Sequence, residues 1–510
     1  MPGSLTKDTS TKLKSFQTYI DGKWCDAASG KRFQTFDPYT GDAWADVPEC
    51  DANDVNRACE AAYKAFDSGP WPAMTQTARG RLLRKIAGLI EQHADYLAQI
   101  EVRDNGKLIS EMNAQTKYMA EWYYYYAGLA DKIQGAVVPV DKPDHFAYIL
   151  KEPVGVCAFI VPWNSPLLLV SWKLAPALAT GCTVVIKPSE YTSASLLEFM
   201  RLVIEPAGLP PGVVNVVTGY GAATGEPLVT NHRVAKVAFT GGSATGARVA
   251  GLAASSFKKV SLELGGKSPN IVFDDAIIDD AVFGAISGIF AATGQTCIAG
   301  SRLLVQESIH DQFVEKLVKV AATAKLGDPQ KFETQVGPVT TPPQYSKILG
   351  YIDIAKGEGA NCVLGGGAAS AAEGGGKYFI KPTIFTGVHN KMRIAQEEVF
   401  GPVLSVIKFK DEAHAVEIAN DVIYGLGSGV WTQNIGRATN MAKKIRAGTV
   451  WVNTYRAVSF SMPFGGYKSS GIGRESGMDA VNEYLQTKSV WINTATGNSG
   501  NPFIMKTSSS

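Results

Sequence analysis

The chain has 510 residues, which is too long for one hydrophobic core, so two or three domains are expected. Its 45% hydrophobic and 19% charged residues are typical of an ordinary globular protein. A formal net charge of +2 is far from the strongly basic composition of proteins that bind nucleic acid or anionic membranes, and neither is predicted as a partner.

The spacing of cysteine and histidine argues against a metal site. Seven cysteines are scattered without a CxxC pair, and six histidines are dispersed along the chain, so no metal is predicted. The odd number of cysteines fits a reducing compartment. Residues 1–18 are polar and lack the apolar segment of a secretory signal, and no apolar run is long enough to span a bilayer. We therefore expect a cytoplasmic protein.

Helices are predicted first along the chain. Apolar residues recur at helical spacing over residues 51–106, which predicts two or three helices. Another helix should carry residues 122–126, where four consecutive tyrosines place some rings in a core and others at a cleft. Residues 135–140, 147–151 and 489–493 are predicted as strands outside the main sheets.

From residue 154 onward, short apolar runs alternate with helical stretches. The first such runs are residues 156–161, 183–186, 214–217 and 237–239, and each ends in a turn. Repeated β-loop-α units predict a parallel, doubly wound α/β sheet with ligands at the carboxyl ends of its strands. The alternation begins again after Gly265, so a second α/β domain is expected, with the boundary near Glu263. A cleft should form there.

Cys297 and Glu263 are the first candidates for chemistry. Glycine and alanine flank Cys297 and leave room around its sulfur, although a buried structural thiol is the commonest fate of a cysteine. Glu263 lies just before a Gly-Gly turn, and strand alternation allows either a solvent-facing charge on an edge strand or a carboxylate held in the cleft. A carboxylate that reaches a thiol can take its proton, so the pair suggests covalent catalysis at a carbonyl.

Together with two upstream motifs, these segments resemble the aldehyde dehydrogenase superfamily from about Tyr19 to about Thr494. The four motifs, in chain order, are Pro162-Trp163-Asn164, Phe239-Thr240-Gly241-Gly242-Ser243-Ala244-Thr245-Gly246, Leu262-Glu263-Leu264-Gly265-Gly266-Lys267 and Thr293-Gly294-Gln295-Thr296-Cys297. Their joint occurrence in this order is a specific signal, whereas Gly241-x4-Gly246 alone is a weak one.

The resemblance and the βα pattern together predict the domains. A Rossmann-like cofactor domain is expected over residues 1–134 and 154–262, and a catalytic domain over 263–465. Residues 135–153 and 480–494 are expected to form a small oligomerisation arm, with a tail at 495–510. In the family this arm pairs with a neighbouring subunit, so the resemblance implies a homodimer or homotetramer.

The resemblance also implies roles for individual residues. Cys297 would be the nucleophile and Glu263 the general base. Asn164 would donate its amide to the oxyanion, although it could instead cap the helix that begins near Pro166. Cofactor contacts are implied at Trp163, Lys187, Glu190, Gly241, Ser243, Gly246, Glu398 and Phe400. The expected cofactor is NAD, with NADP as a second candidate, because Glu190 would repel a 2′-phosphate.

The activity implied is NAD(P)-dependent oxidation of an aldehyde to a carboxylic acid. Relatives that transfer the acyl group to coenzyme A generally lack the glutamate, so Glu263 favours hydrolysis. A cofactor-independent thiol esterase and a non-enzymatic structural protein are the rival classes. In an esterase that uses no cofactor, Lys187, Glu190 and Glu398 would have no cofactor to bind.

Ser165 directly follows Asn164, where many relatives with small aliphatic substrates carry an aromatic residue. A serine at this position predicts an open funnel that favours bulky aldehydes over acetaldehyde.

Overall fold

The computed structural model describes residues 13–497, 501 and 503, so most of the predicted tail lies outside the described residues. The architecture is α/β, built on two large, mostly parallel sheets, and this confirms the predicted fold class. Among the helices of the described residues, none combines the length and the apolar character that crossing a membrane requires.

The helices lie at the following residues: α1 Ala52–Asp67, α2 Pro70–Ala73, α3 Gln76–Asn105, α4 Ile109–Leu129, α5 Pro166–Thr180, α6 Ser193–Phe199, α7 Glu205–Ala207, α8 Glu226–Thr230, α9 Ser243–Ala254, α10 Ile278–Phe290, α11 His310–Ala321, α12 Pro342–Gly357, α13 Ala371–Gly374, α14 Arg393–Gln396, α15 Glu412–Asn420, α16 Ile435–Lys444 and α17 Asp479–Glu483. Shorter 3₁₀ or π segments occur at Ala130–Lys132, Met200–Ile204, Gly221–Gly225, Ala291–Gly294 and Glu307–Ile309.

The strands are β1 Lys14–Ser15, β2 Thr18–Ile20, β3 Lys23–Cys25, β4 Arg32–Phe36, β5 Ala43–Pro48, β6 Ala136–Val138, β7 His145–Pro153, β8 Val156–Ile160, β9 Thr183–Lys187, β10 Val214–Val216, β11 Val234–Thr240, β12 Lys259–Glu263, β13 Pro269–Val272, β14 Arg302–Gln306, β15 Asn361–Leu364, β16 Thr383–Thr386, β17 Val403–Phe409, β18 Tyr424–Gly425, β19 Gly427–Trp431, β20 Thr449–Val452, β21 Tyr467–Lys468, β22 Gly471–Ile472 and β23 Leu485–Asn493.

The first large sheet has the strand order β22-β12-β11-β8-β9-β10-β2-β3. The strands from β12 to β10 in this order run parallel, whereas β2, β3 and β22 pair antiparallel. From β8 the chain proceeds to β9 and β10 on one side and then returns to β11 and β12 on the other. Ligands of such sheets bind where the order reverses, which here is at the carboxyl ends of β8 and β11.

The second large sheet has the order β15-β16-β17-β14-β13-β19-β20, and only β15 pairs antiparallel. Its central strands β13 and β14 are almost entirely buried, as expected for a parallel sheet covered by helices on both faces. The chain passes from the first sheet to the second through the turn between Glu263 and Pro269. This turn positions the candidate site.

Three strands form a separate small sheet with the order β23-β7-β6. Strand β7 pairs with β23 over its whole length, and the predicted strands at 135–140, 147–151 and 489–493 overlap β6, β7 and β23, although β6 covers only Ala136–Val138. Several of its large apolar side chains are exposed, including Phe146, Leu150 and Trp491. Pairing of this arm with another subunit stays a prediction.

The N-terminal helices follow the predicted pattern. Helices α1, α2 and α3 occupy the 51–106 region, and α1 begins with a capping box in which Asp51 accepts from the helix N-terminus. In α4, Tyr123 and Tyr126 are buried, while Tyr124 and Tyr125 are partly exposed. The four-tyrosine run therefore divides between core and surface, as its helical spacing indicates.

Candidate active site

A cavity of about 240 Å³ contains most of the predicted site residues. It is lined by the residues that follow β8, β11 and β12 and by residues connected to the second sheet, namely Pro162, Trp163, Asn164, Leu169, Thr240, Gly241, Gly242, Glu263, Leu264, Gly265, Cys297, Gln344, Lys347, Glu398 and Phe400. A larger cavity of about 700 Å³ beside Tyr39 and Lys381 includes none of the predicted residues. The smaller cavity is the one that brings the candidate chemistry together.

Cys297 is partly exposed to this cavity and follows a strained turn. Ala292 and Thr293 both have φ 53°, a left-handed conformation that ordinary side chains seldom adopt. A Cβ atom on Gly266 would lie 2.3 Å from the Cys297 carbonyl oxygen, so only glycine lets the turn after β12 approach this closely. Burial, followed by the charges of Glu263 and Glu398, raises the pKa of the Cys297 thiol to about 12.

Glu263 is the last residue of β12 and is buried, with 4% of its surface exposed. Strand β22 pairs with β12, so β12 is not an edge strand, and the interpretation of Glu263 as a solvent-facing charge is wrong. Neither carboxylate oxygen has a hydrogen-bond partner within the described residues. Burial, and then the nearby charge of Glu475, raises the pKa of Glu263 well above the usual value for a carboxyl group.

A buried ion pair lies next to Glu263, and no sequence motif predicted it. Lys173 on α5 contacts Glu475 at 2.6 Å and donates to Thr240 Oγ1 at 2.8 Å. The Lys173 charge lowers the pKa of Glu263 while that of Glu475 raises it. The sequence feature that could have indicated this ion pair is Lys173 itself, the one charged residue in the mostly apolar helix α5.

Asn164 does not cap α5. Its side-chain amide donates to the Gln295 carbonyl oxygen at 3.0 Å, so it points toward the loop that carries Cys297. Ser165 occupies the N-cap position without a side-chain capping bond, because its hydroxyl accepts instead from Lys107 Nζ at 2.5 Å. Ser165 is thus buried and hydrogen-bonded, and the prediction of an open funnel, which rested on its small size, did not include this partner.

Trp163, Glu398 and Phe400 line the same cavity. The rings of Trp163 and Phe400 meet edge to face, with centroids 5.3 Å apart. Glu398 Oε1 accepts from the Gly266 N–H at 2.9 Å, which ties it to the turn after Glu263. Gln344 and Lys347 also line the cavity, and no sequence motif indicated either of them.

Lys187 and Glu190 lie outside this cavity, at the end of the neighbouring strand β9. The Lys187 ammonium is buried, donates to the Pro188 carbonyl oxygen at 2.9 Å and lies 3.7 Å from Glu190 Oε2. Burial lowers the pKa of Lys187, and the charge of Glu190 opposes this effect. The two residues thus form a pair at the carboxyl end of a strand beside β8.

The glycine-rich loop after β11 leads into α9. Gly241 lines the cavity, and Ser243 is the first residue of the helix. The N-cap residue is Gly242, which has no side chain with which to cap the helix. A Cβ atom on Gly246 would lie 2.4 Å from Leu264 Cδ2, so the helix packs directly against the turn that follows Glu263. Uncapped N–H groups at a helix N-terminus are suited to bind an anionic group.

Comparison with known proteins agrees with this geometry. The profile of the aldehyde dehydrogenase family matches residues 24–490. A dehydrogenase of (Z)-2-((N-methylformamido)methylene)-5-hydroxybutyrolactone from Acinetobacter baylyi is 48% identical over 97% of this chain and 100% of its own length. A betaine aldehyde dehydrogenase from Bacillus subtilis is 43% identical over 93% of this chain and 97% of its own length.

Solved structures resemble the fold over almost all of the chain. Betaine aldehyde dehydrogenase from Staphylococcus aureus in complex with NAD+ superposes with a TM-score of 0.94 at 41% identity, covering 96% of this chain and 97% of that one. The NAD+ complex of an aldehyde dehydrogenase from Bacillus cereus gives a TM-score of 0.92 at 45% identity, covering 94% and 97%. From its sequence, its fold and the arrangement of its site, the chain belongs to the aldehyde dehydrogenase family.

Proposed function

We propose that this enzyme oxidises an aldehyde with NAD and hydrolyses the resulting thioester to release a carboxylic acid. The observation that carries the proposal is that Cys297, Glu263, Asn164 and Glu398 line one cavity of about 240 Å³. A thiol, a carboxylate and an amide donor at one cavity are the groups that covalent catalysis at a carbonyl needs.

In this mechanism the Cys297 thiol gives its proton to water as substrate and cofactor bind, and the thiolate then attacks the aldehyde carbon to form a thiohemiacetal. The oxygen of that adduct gains negative charge, which the Asn164 amide stabilises by donating a hydrogen bond. One such donor lowers the barrier by about 3 to 4 kcal/mol. Asn164 is near the required place, since its amide already reaches the Gln295 carbonyl oxygen two residues before Cys297.

The residues of the cavity and of the β9 end are suited to hold NAD, which supplies the hydride acceptor when bound. The uncapped N-terminus of α9 would bind the pyrophosphate, with Gly241 and Ser243 in the same loop. Lys187 and Glu190 would bind the adenosine ribose, and Glu398 the nicotinamide ribose. Trp163 and Phe400 would pack around the ring region.

Glu263 is the proposed base for the hydrolysis. Its carboxylate has no hydrogen-bond partner among the described residues and lines the same cavity as Cys297, so it can take a proton from water that attacks the thioester. Transfer of the acyl group to coenzyme A would not require this carboxylate. A cytoplasmic location stays a prediction, which the seven unpaired cysteines support.

The experiment is to follow NADH formation from a panel of aldehydes, including betaine aldehyde, with the wild type and with Cys297→Ala. Cys362→Ala is the matched control, because Cys362 is also a partly exposed free cysteine. We expect carboxylic acid and NADH in equal amounts from the wild type and the control, and no turnover from Cys297→Ala. Turnover without Cys297, or hydrolysis of esters with no NADH formed from any aldehyde of the panel, would refute the proposal.

A further inference from the structure

The turn between α3 and α4 lies against both halves of the candidate site. Lys107 in this turn is buried, with 6% of its surface exposed, and its Nζ donates to Ser165 Oγ at 2.5 Å. Ser165 is the N-cap of α5 and is bonded covalently to Asn164. Serine is a favoured capping residue, but here its hydroxyl binds Lys107 instead of the helix N–H groups. The start of α5 is thus anchored from outside the helix.

The same turn is also joined to the loop before Cys297, through a closed ring of hydrogen bonds that includes Gln295. Asn164 Nδ2 donates to Gln295 O at 3.0 Å, and the Thr340 N–H donates to Gln295 Oε1 at 2.9 Å. Thr340 Oγ1 donates to Asn105 O at 2.6 Å, and the Lys107 N–H donates to Asn105 Oδ1 at 2.9 Å. The Lys107–Ser165 bond completes the ring, which therefore includes Asn164 and the residue two positions before Cys297.

The surroundings of Lys107 show how it is held. Glu111, Glu101 and Cys297 attract its charge and Arg456 repels it. Neither oxygen of Glu101, nor Glu111 Oε2, has a hydrogen-bond partner within the described part of the chain. The Ser165 hydroxyl is its side-chain hydrogen-bond partner. Glu111 instead accepts from the Ala292 N–H at 2.8 Å, which ties the start of α4 to the strained turn before Cys297. A buried ammonium is costly, so a hydroxyl partner beside Asn164 indicates a specific use of this contact.

We propose that Lys107 is a positioning residue for aldehyde oxidation, which through Ser165 fixes the Asn164 amide relative to Cys297. The inference rests on the oxyanion role of Asn164 in the proposed function. Lys107 itself touches no reacting atom. Its effect follows from geometry, because a displacement of about 1 Å in a catalytic group can lower a rate about a hundredfold.

The test is a double-mutant cycle on the first-turnover rate of NADH formation at saturating NAD and aldehyde. Ser165→Ala breaks the contact from its uncharged end, and Lys107→Met breaks it from the other. We expect rate losses of about tenfold and about a hundredfold, and a near wild-type rate in Ser165→Thr, which keeps the hydroxyl. In an Asn164→Ala background, Ser165→Ala should alter the rate by less than about twofold, since the amide that Ser165 positions is gone. Lys107→Met should keep part of its effect there, because the Lys107 charge also lowers the pKa of the Cys297 thiol.

A structural role would give a different pattern. The burst amplitude counts folded active sites, so loss of protein lowers the amplitude and not the rate per site. Lys258→Met is the control, because Lys258 is another buried lysine, whose Nζ donates to Asn231 O in a distant turn. Rate losses that stay the same in the Asn164→Ala background, or losses in amplitude alone, would overturn the inference and leave the proposed function intact. An unchanged rate in Asn164→Ala alone would overturn both.

Discussion

Cys297 and Glu263 lie in surroundings that favour their protonated forms. The pKa of the thiol is raised to about 12, and that of the carboxyl is raised well above its usual value. Burial is the main cause in both, because it disfavours a charge that water would otherwise solvate. In the free enzyme these surroundings oppose ionisation of the thiol, so we expect its activation to accompany binding of the substrate and cofactor.

The first prediction concerns the two chemical steps. Glu263→Gln should still form one NADH per active site and then stall, since the amide cannot take a proton from the hydrolytic water. Steady-state turnover should fall by about 10² to 10⁴, the usual contribution of a general base. A stopped-flow burst followed by accumulated acyl-enzyme in a mass spectrum would verify this. Steady turnover near the wild-type rate would exclude Glu263 as the base.

The second prediction is the direction of a pH shift. Hydrolysis needs ionised Glu263, so its raised pKa places the acid limb of kcat at a higher pH than for an ordinary carboxyl. Glu475→Gln removes a negative charge and leaves Lys173, which lowers the pKa of Glu263. The acid limb should therefore move to lower pH. The measurement is the profile of kcat against pH for the wild type and for Glu475→Gln. A shift of the acid limb to higher pH in the variant would contradict this electrostatic account.

The third prediction is a preference for NAD over NADP. Glu190 lies 3.7 Å from Lys187 and is partly exposed, so it can accept from a ribose hydroxyl and would repel a 2′-phosphate. Glu190→Gln should lower the ratio of kcat/KM for NAD to that for NADP about tenfold, which corresponds to about 1.4 kcal/mol. Glu315→Gln, on the exposed face of α11, serves as the control. A wild type that uses NADP as well as NAD would disprove the role of Glu190.

Sequence motifs predicted the residues that line the candidate site, but not the buried lysines that lie next to them. Cys297, Glu263 and Asn164 each stand in a short local pattern, and all three line one cavity. Lys173 and Lys107 stand in no local pattern of this kind. Their partners Glu475 and Ser165 come from distant parts of the chain, so no short motif contains both members of either pair. Such long-range pairs depend on tertiary packing, which the spacing of residues does not reveal.

Among the elements, the turn between β12 and β13 has the greatest effect on the site. It carries Glu263 at its start and lies against the backbone of Cys297 through Gly266. The Gly-Gly pair was apparent in the sequence, but the contact with Cys297 was not. Similarly, the alternating residues of β12 predicted a strand, but nothing in the sequence indicated that β22, from the far end of the chain, pairs with it. That pairing converts a possible edge strand into a buried one.

The fourth prediction tests this turn. Gly266→Ala places a methyl group 2.3 Å from Cys297 O, so either the turn or the cysteine loop must move. We expect kcat to fall about a hundredfold, as for other misplaced catalytic groups. Gly251→Ala is the matched control, since a Cβ at this site in α9 meets no atom within 4 Å. It should retain full activity and gain about 0.5 to 1 kcal/mol in helix stability. Equal kcat values for the two variants would refute the packing argument.

At the scale of the whole molecule, the repeated βα pattern predicted two parallel sheets, and both are present. The domain ranges 1–134 with 154–262 and 263–465 stay predictions, which the two separate sheets support. The small sheet of β6, β7 and β23 was expected because its segments lie outside the βα units and because the family resemblance implies such an arm. Its strands come from distant positions, so their order required the structure.

The last prediction concerns assembly through this small sheet. Trp491 and Ile492 on the edge strand β23 are 54% and 44% exposed, and they point to opposite faces because they are adjacent in a strand. An edge strand with large apolar side chains on both faces is a surface that a second subunit would cover. The wild type should therefore sediment as a dimer or tetramer at micromolar concentration, and the double variant Trp491→Glu, Ile492→Lys as a smaller species. Phe332→Glu, at a 67% exposed residue outside this sheet, should not change the mass. A monomeric wild type, or a double variant of unchanged mass, would show that the arm does not assemble subunits.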